Sequence, residues 1–570
     1  MMVSYLAHSR WRQKLPAVLN GLSFAGVLLL CLNVQNVADL DLWGKMAIGA
    51  LIDQNPGYFP YRDVFSFGVA GGRLWIDHEW GSGFLLFYLF KHWGSLSIFC
   101  FKLTLVFACI AMMLQTFRQE RACHANPSAF IPDFLKYSAP LTAFVLWNGL
   151  GCTFRCHLFS FFFFTLFLNR LLAFDRVKGN SWKNTLAFLP LAMAFWVNLH
   201  AGFIMGFGLL GAFYLKSALQ RNWRQANRLL LTTIACGLAT WLNPYGLDLH
   251  RELFGAWGMP RPYIMEWGHV LTHSVGFGVS YLLVALFFAG VAIYSALTRP
   301  RQFPVVELML VALAVAGTLH FKLAPFFIIA AIMLAWRLKT PPAFAWTRSN
   351  VSPENQVALR QEAPYAVKLI LSTGILLLVS GVLHMQGAPL YVRVLGTTGA
   401  ASQEAETQLV YPQGLVRFLQ QNKIEGDLWT TFGWGQYFFW RLYPAVRVSI
   451  DGRYEAVYDD RQMQAYLAFY MPPYDLRPAL RSGATLIVIP AGAAQLRKRL
   501  DRLPGWARIY SDAVATLYQR RDRLRGPYVV DGFSNRTTAM DAHLGDLSRF
   551  RLTGARRPAD PEATRARPDA

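Results

Sequence analysis

The chain has 570 residues, 54% of them hydrophobic and only 15% charged, with a mean hydropathy of +0.28. That balance excludes an ordinary soluble domain, because many apolar runs approach the roughly 20 residues a helix needs to cross a bilayer. The formal net charge of +22 would suit a nucleic-acid binder, but the basic residues lie between apolar runs, where the positive-inside rule accounts for them without a nucleic-acid partner.

In chain order, Arg10, Arg12 and Lys14 precede the apolar run Val18 to Val37. No small-residue cleavage site follows it, so it reads as an uncleaved first span. About eleven spans are expected, at 17–37, 95–116, 138–153, 157–174, 185–199, 201–219, 229–244, 277–297, 305–320, 323–337 and 367–386. Residues 38–94 form a large first external loop, closed by an interfacial helix at 82–92 that is too short to cross. With the N-terminus inside, the clusters Arg118/Arg121, Arg176/Lys178/Lys183, Arg221/Arg224/Arg228, Arg299/Arg301 and Arg337/Lys339 all fall inside. Everything after the last span then falls outside. Lys102, within the second span, is expected to snorkel to the outer surface.

The transmembrane domain covers 1–387. From 388 to 525 polar and apolar residues alternate, as in a small α/β domain. Strands are expected at 427–432, 445–450, 485–489, 507–510 and 513–518, and helices at 413–422, 459–469 and 491–502. Residues 526–570 read as a polar, disordered tail. The seven cysteines lie in or near spans and form no CxxC pair, which supports neither a structural zinc site nor a disulfide framework.

On this topology the unusual polar residues gather at the outer face. Asp39 and Asp41 open the first loop, and His78 and Glu79 close it. Arg155 and His157, then His200, then His320 and Lys322 occupy three short external turns, where a simple hairpin would need only Gly, Ser or Asn. Charged groups at membrane depth are costly and usually face a protein or water-filled cavity. Arg155, His157, His200, His320 and Lys322 are therefore candidates to bind a lipid-borne phosphate. Asp41, Asp39, Glu79 and His78 are candidates for acid–base work on a hydroxyl. His78 and Glu79 are adjacent and no HExxH spacing occurs, so a divalent metal is neither specified nor required.

The succession Asp41-Leu-Trp43, Pro60-Tyr-Arg-Asp63-Val-Phe-Ser66, His78-Glu79-Trp80, Arg155-Cys-His-Leu-Phe-Ser160, Asn198-Leu-His-Ala-Gly202 and Asn243-Pro-Tyr-Gly246 resembles a group of bacterial multispanning membrane proteins. That group is similar to the GT-C superfamily of polyprenyl-phosphate-sugar-dependent glycosyltransferases, which includes the protein O-mannosyltransferases and the aminoarabinose transferases of lipid A. The resemblance covers about residues 15–340, and Ile450-Asp-Gly-Arg453 fits the same group. It implies a polyprenyl-phosphate-linked sugar as donor and an acidic residue of the first external loop as base. Asp41 or Asp39 is the matching position. The superfamily's adjacent acidic pair is split here by Leu40, which leaves the choice open.

The expected protein is thus a multi-pass, GT-C-like enzyme of the bacterial inner membrane, with a cytoplasmic N-terminus and a periplasmic C-terminal α/β domain. Its partners would be membrane lipid and a glycan, lipid or protein acceptor of the cell envelope. The alternatives are a transporter or flippase of lipid-linked saccharides, or a non-catalytic scaffold in envelope polysaccharide assembly. The turn Ile450-Asp451-Gly452-Arg453 is either a contact surface of the outer domain or a strand-end turn closed by its own Asp–Arg pair.

Overall fold

The computed structural model describes residues 40–68, 71–124, 155–176, 182–256, 261, 264, 267–273, 275–299, 304–338, 411–529 and 547–552. The expected spans 17–37, 138–153 and 367–386, the residue Asp39 and the domain boundary near 387 lie outside them.

The first loop contains a helix that the sequence reading did not anticipate. Leu40–Gln54 forms α1, with Trp43, Met46, Ala47, Ala50 and Leu51 buried along it. It packs on α2, Trp80–His124, where a side chain on Gly49 would collide with Phe87 and with the Gly83 carbonyl. Lys91 of α2 binds Asp53 of α1 at 2.9 Å. α2 breaks at Gly94, whose φ of 68° suits glycine. Ser97 Oγ donates to the Gly94 carbonyl there at 2.7 Å. The break separates the expected short helix at 82–92 from the expected span at 95–116. Lys102 does not reach a surface, being only 3% exposed, so protein encloses it rather than lipid headgroups.

The next helices are α3 (His157–Arg176), α4 (Leu189–Leu199), α5 (Ile204–Leu219), α6 (Trp223–Ala239), α7 (Leu247–Gly255), α8 (Val275–Thr298), α9 (Val305–Leu319) and α10 (Ala324–Leu334). Among the described residues, three stretches are long and apolar enough to cross a membrane: His157–Arg176, Ala201–Leu219 and Tyr281–Thr298. Helix α3 is apolar all round and mostly buried, as a central helix must be. By contrast α6 turns Leu230, Leu231, Ile234 and Leu238 outward, an apolar face suited to lipid.

Helices α3, α5 and α10 run side by side in the same sense. At their C-terminal ends, Asp175 accepts from Lys216 at 2.7 Å and from Arg337 at 2.7 Å. Their N-terminal ends carry His157, His200 and Lys322. From His157 to Asp175 a helix rises about 27 Å, close to the roughly 30 Å of a bilayer's hydrocarbon core. The polar turns therefore lie at one end of the bundle and the Asp175 triad at the other. Two of those turns share a construction. His200 and His320 are each extended, each ends a helix, and each precedes one 3-10 turn (Ala201–Phe203 and Phe321–Leu323) that opens the next helix.

Residues 411–529 form the α/β unit, with strands β1 (Gly426–Trp429), β2 (Val446–Val448), β3 (Leu486–Pro490), β4 (Trp506–Ser511) and β5 (Ala515–Arg520). The sheet order is β2-β1-β3-β5-β4. β1 lies parallel to both β2 and β3, while β3–β5 and β5–β4 are antiparallel. All five expected strands are present, as are the helices at Gln413–Gln421 (α11), Asp460–Tyr470 and Ala494–Leu500. The first strand is shorter than expected, because Phe432–Leu442 turns into a helix, α12. It is buried almost all round, enclosing Tyr437, Phe438, Phe439 and Trp440 in succession.

This unit is joined to the first loop through main chain. Ser66 bridges Val448 in parallel register. Val448 N–H donates to the Phe65 carbonyl at 3.0 Å, and Phe67 N–H to the Val448 carbonyl at 3.1 Å. The loop thus covers the free edge of β2, and Phe67 enters the second core beside Trp429 and Phe469. Part of the segment read as a polar tail also packs here. Leu547–Phe550 is a 3-10 turn whose Phe550 stacks on Trp440 and Tyr443. Asn55 of the first loop donates to the Phe550 carbonyl and accepts from Leu552 N–H, both at 2.8 Å.

Candidate active site

Glu79 occupies the turn that enters α2. Asp77 shapes that turn: its Oδ1 accepts from Glu79 N–H at 3.0 Å and from Lys45 Nζ at 3.3 Å. The Asp77 N–H donates to Tyr245 OH at 3.2 Å, and that hydroxyl donates to the Pro60 carbonyl at 3.0 Å. Tyr245 belongs to the Asn243-Pro-Tyr-Gly246 motif, so this motif ties Pro60 and Asp77 of the first loop together. Beside it, Trp80 Nε1 donates to Asn198 Oδ1 at 2.9 Å, and Asn198 Nδ2 donates to the Leu242 carbonyl at 2.8 Å.

Three basic or imidazole groups surround the Glu79 carboxylate. Lys45 Nζ lies 2.7 Å from Oε2, while His200 Nε2 and His78 Nε2 lie 3.4 and 3.9 Å from Oε1. Burial alone would raise this carboxyl, but Lys45, His78 and His200 hold it well below the usual carboxylate range. Lys45 moves the other way. Burial opposes its charge, yet Asp77 and Glu79 raise its ammonium above the usual lysine value. Both shifts favour the ion pair.

His200 is held in one tautomer. Gly202 N–H donates to its Nδ1 at 3.0 Å, so Nδ1 carries no proton and Nε2–H faces Glu79. Ser160 Oγ lies 2.7 Å from the same Nδ1 and accepts from Trp196 Nε1 at 2.8 Å. Burial pushes the His200 imidazole down to about 3, with Lys322, His78 and Lys45 acting the same way against Glu79.

Further cationic groups adjoin this cluster. The rings of His157 and His200 are 6.4 Å apart, and Arg155 and Lys322 are electrostatic neighbours of His157. His320 Nδ1 lies 2.8 Å from the Trp267 carbonyl. The Trp267 ring has Lys322 5.3 Å from its centroid and Arg261 at 4.4 Å. The structure therefore gathers His78, Glu79, Arg155, His157, His200, His320 and Lys322 at one end of the bundle. Among the described residues, no group of three or more His, Cys, Asp or Glu is arranged to hold a metal ion.

Asp41 sits in the first turn of α1, one helical turn before Lys45. Its Oδ1 points to Gly452 of the α/β unit. Next to Gly452, Arg453 is locked. It binds Asp63 of the first loop at 2.7 Å and Asp451 at 2.7 Å, and donates to Ser66 Oγ at 3.0 Å. Tyr458 OH donates to Asp451 at 2.5 Å. Trp75, Phe439 and Phe65 enclose the guanidinium, their ring centroids 4.6, 5.2 and 5.4 Å away. The turn is thus closed by its own Asp–Arg pair, as one of its two readings expected, and Arg453 also ties it to the first loop.

Sequence reasoning missed Lys45, Arg261 and Ser160. Lys45 had a signal, as the lone cation in a mostly apolar fifteen-residue helix. Ser160 had none, because a serine in an apolar helix more often bonds its own backbone.

Neither a protein-family model nor a curated protein matches the sequence. Solved structures do. The crystal structure of ArnT from Cupriavidus metallidurans in the apo state aligns over 91% of this chain and 100% of its own, at 12% identity and a TM-score of 0.51. The fold is that of ArnT. A crystal structure of the same protein bound to undecaprenyl phosphate aligns over the same shares, at 11% identity and a TM-score of 0.48. The expected likeness is borne out at the level of fold, and the described helices long and apolar enough to cross a membrane fit a polytopic helical membrane protein.

Proposed function

We propose that this chain is a membrane glycosyltransferase that moves a sugar from a polyprenyl-phosphate donor to an envelope acceptor, on the outer face of the bacterial inner membrane. The observation that carries the reading is the meeting of Arg155, His157, Lys322 and Arg261 with the Glu79 cluster at one end of an ArnT-type bundle. Arg155, Lys322 and Arg261 hold the donor phosphate and stabilise charge as it develops on the leaving group, with His157 and His320 as hydrogen-bond donors beside them. Apolar helix faces hold the prenyl chain.

Asp41 or Asp39 takes the proton from the acceptor hydroxyl or amine. Glu79 suits that task less well, because Lys45 holds it anionic and weakly basic. We assign Glu79, with His78 beside it, to the wall of the site rather than to proton transfer. His200, neutral and fixed by Gly202 and Ser160, orients Glu79 instead of meeting phosphate as a cation. The C-terminal unit lies in the periplasm and selects the acceptor. Transport fits less well, since the polar groups crowd one end of the bundle rather than its middle.

The test uses the full chain in lipid nanodiscs with a panel of undecaprenyl-phosphate-linked sugars. Asp41→Asn should lower turnover by about two to four orders of magnitude while undecaprenyl phosphate still binds. Unchanged turnover would remove Asp41 as base and move the role to Asp39. No turnover of any donor by the wild type, with undecaprenyl phosphate bound, would favour the scaffold reading.

A further inference from the structure

The turn at 450–453 and helix α12 lie against the first turns of α1 at a spacing that only bare backbone allows. Gln436 Oε1 of α12 accepts the Gly44 N–H of α1 at 3.0 Å. A side chain on Gly44 would collide with the Gln436 carboxamide, and one on Gly435 would collide with the Ile450 carbonyl. A methyl on Gly452 would come 2.8 Å from Asp41 Oδ1 and 2.8 Å from Gln436 Nε2. Three glycines from three segments thus remove every obstacle between α12, the 450–453 turn and the carboxylate of Asp41. Arg453, clamped to Asp63, holds the turn in that place.

We propose that Gln436 and Gly452 are positioning residues for Asp41, so that the basic half of the site is shared between the bundle and the α/β unit. The catalytic sense of this rests on the reading of Asp41 as the base. Gln436 fixes the backbone of the first turns of α1 by an amide hydrogen bond, while its donor end and the backbone of Gly452 bound the space open to the carboxylate. A base within reach of an acceptor must be held to a fraction of an ångström, and misplacement by about 1 Å can cost a hundredfold in rate. The α/β unit therefore does more than present an acceptor. Undocking it would release the base.

The test follows Asp41 itself, in the full chain in lipid nanodiscs. Carbodiimide-driven amidation by glycinamide, read by peptide mass spectrometry across pH, reports the exposure and titration of its carboxyl. Gly452→Ala should raise the Asp41 labelling rate several-fold. Gln436→Glu keeps an acceptor for Gly44 N–H but places a second carboxylate beside Asp41. It should move the labelling midpoint upward by about one unit, and it serves equally if Gly452→Ala does not fold. Gly492→Ala, in the same unit with nothing near its added methyl, is the control and should label as the wild type. Both variants should lower kcat for a turned-over undecaprenyl-phosphate-linked sugar and leave undecaprenyl phosphate affinity unchanged. Wild-type labelling and midpoint in both variants would overturn the positioning role. Full turnover by Asp41→Asn would overturn the base assignment alone, because the labelling result does not depend on it.

Discussion

Arg453 and Glu79 are both buried charged side chains held by opposite charge, yet their surroundings differ. The Arg453, Asp63 and Asp451 side chains are 5%, 0% and 0% exposed, and aromatic rings wall in the guanidinium. The Glu79, Lys45 and His78 side chains keep 18%, 12% and 33% exposure, and further cations stand nearby. In the first cluster two carboxylates enclose one cation and solvent is sealed out, so its work is assembly. In the second, basic side chains from several separate turns adjoin the pair and the cluster keeps residual access, as a site for an anionic ligand must. Burial and ion pairing do not by themselves mark a functional site. Converging basic groups with residual access do.

The largest effect should come from breaking the sealed cluster. Arg453→Met leaves Asp63 and Asp451 buried without their cation, and should cost about 3–5 kcal/mol. Thermal denaturation of the purified full chain would show it, and a melting temperature equal to wild type would contradict the lock.

Acid should loosen the open cluster first, next in size. The folded His200 sits at about 3 against an ordinary 6.5, so unfolding takes up a proton in that interval. Stability is therefore full above about 6.5 and falls as pH drops toward 3. Glu79, also depressed, adds a loss in the same direction, below the ordinary carboxylate range. His200→Gln, which can still accept from Gly202 and donate to Glu79, should flatten the decline of melting temperature between pH 6.5 and the carboxylate range. An equally steep decline in the variant would show that His200 is not its source.

Lys322→Met sharpens the contrast from the ligand side. It should weaken undecaprenyl phosphate binding by roughly ten- to a hundredfold, the size of a charge-assisted hydrogen bond of about 1.5–3 kcal/mol, with little change in melting temperature. Equal losses of binding and stability would make the open cluster a second lock. The smallest effect belongs to the returning C-terminal segment. Asn55→Ala strands the Phe550 carbonyl and Leu552 N–H and should cost about 1–2 kcal/mol, read as earlier proteolysis after Phe550 with undecaprenyl phosphate binding intact.

Much of the architecture was legible without coordinates. The helices at 157–176, 201–219 and 275–298 follow from uninterrupted apolar runs, and the five strands from short alternating ones. Both are local signals, carried by a residue and its near neighbours in sequence. The histidine turns were legible for a related reason: His200 and His320 each interrupt two apolar helices, where a polar residue is conspicuous. Helix α1 was harder, because its packing face meets the α/β unit as well as α2, which leaves little one-sided pattern to read.

Composition and periodicity alone determined that this is a helical membrane protein with an α/β unit at its C-terminal side and polar turns near helix ends. Tertiary structure alone decided the partners. Lys45 faces Glu79, Ser160 faces His200, Asp63 faces Arg453 and Asp41 faces Gly452. The last two contacts join residues nearly four hundred positions apart or more. Local pattern cannot specify such pairings, because they arise only when parts of the chain distant in sequence bring their surfaces together.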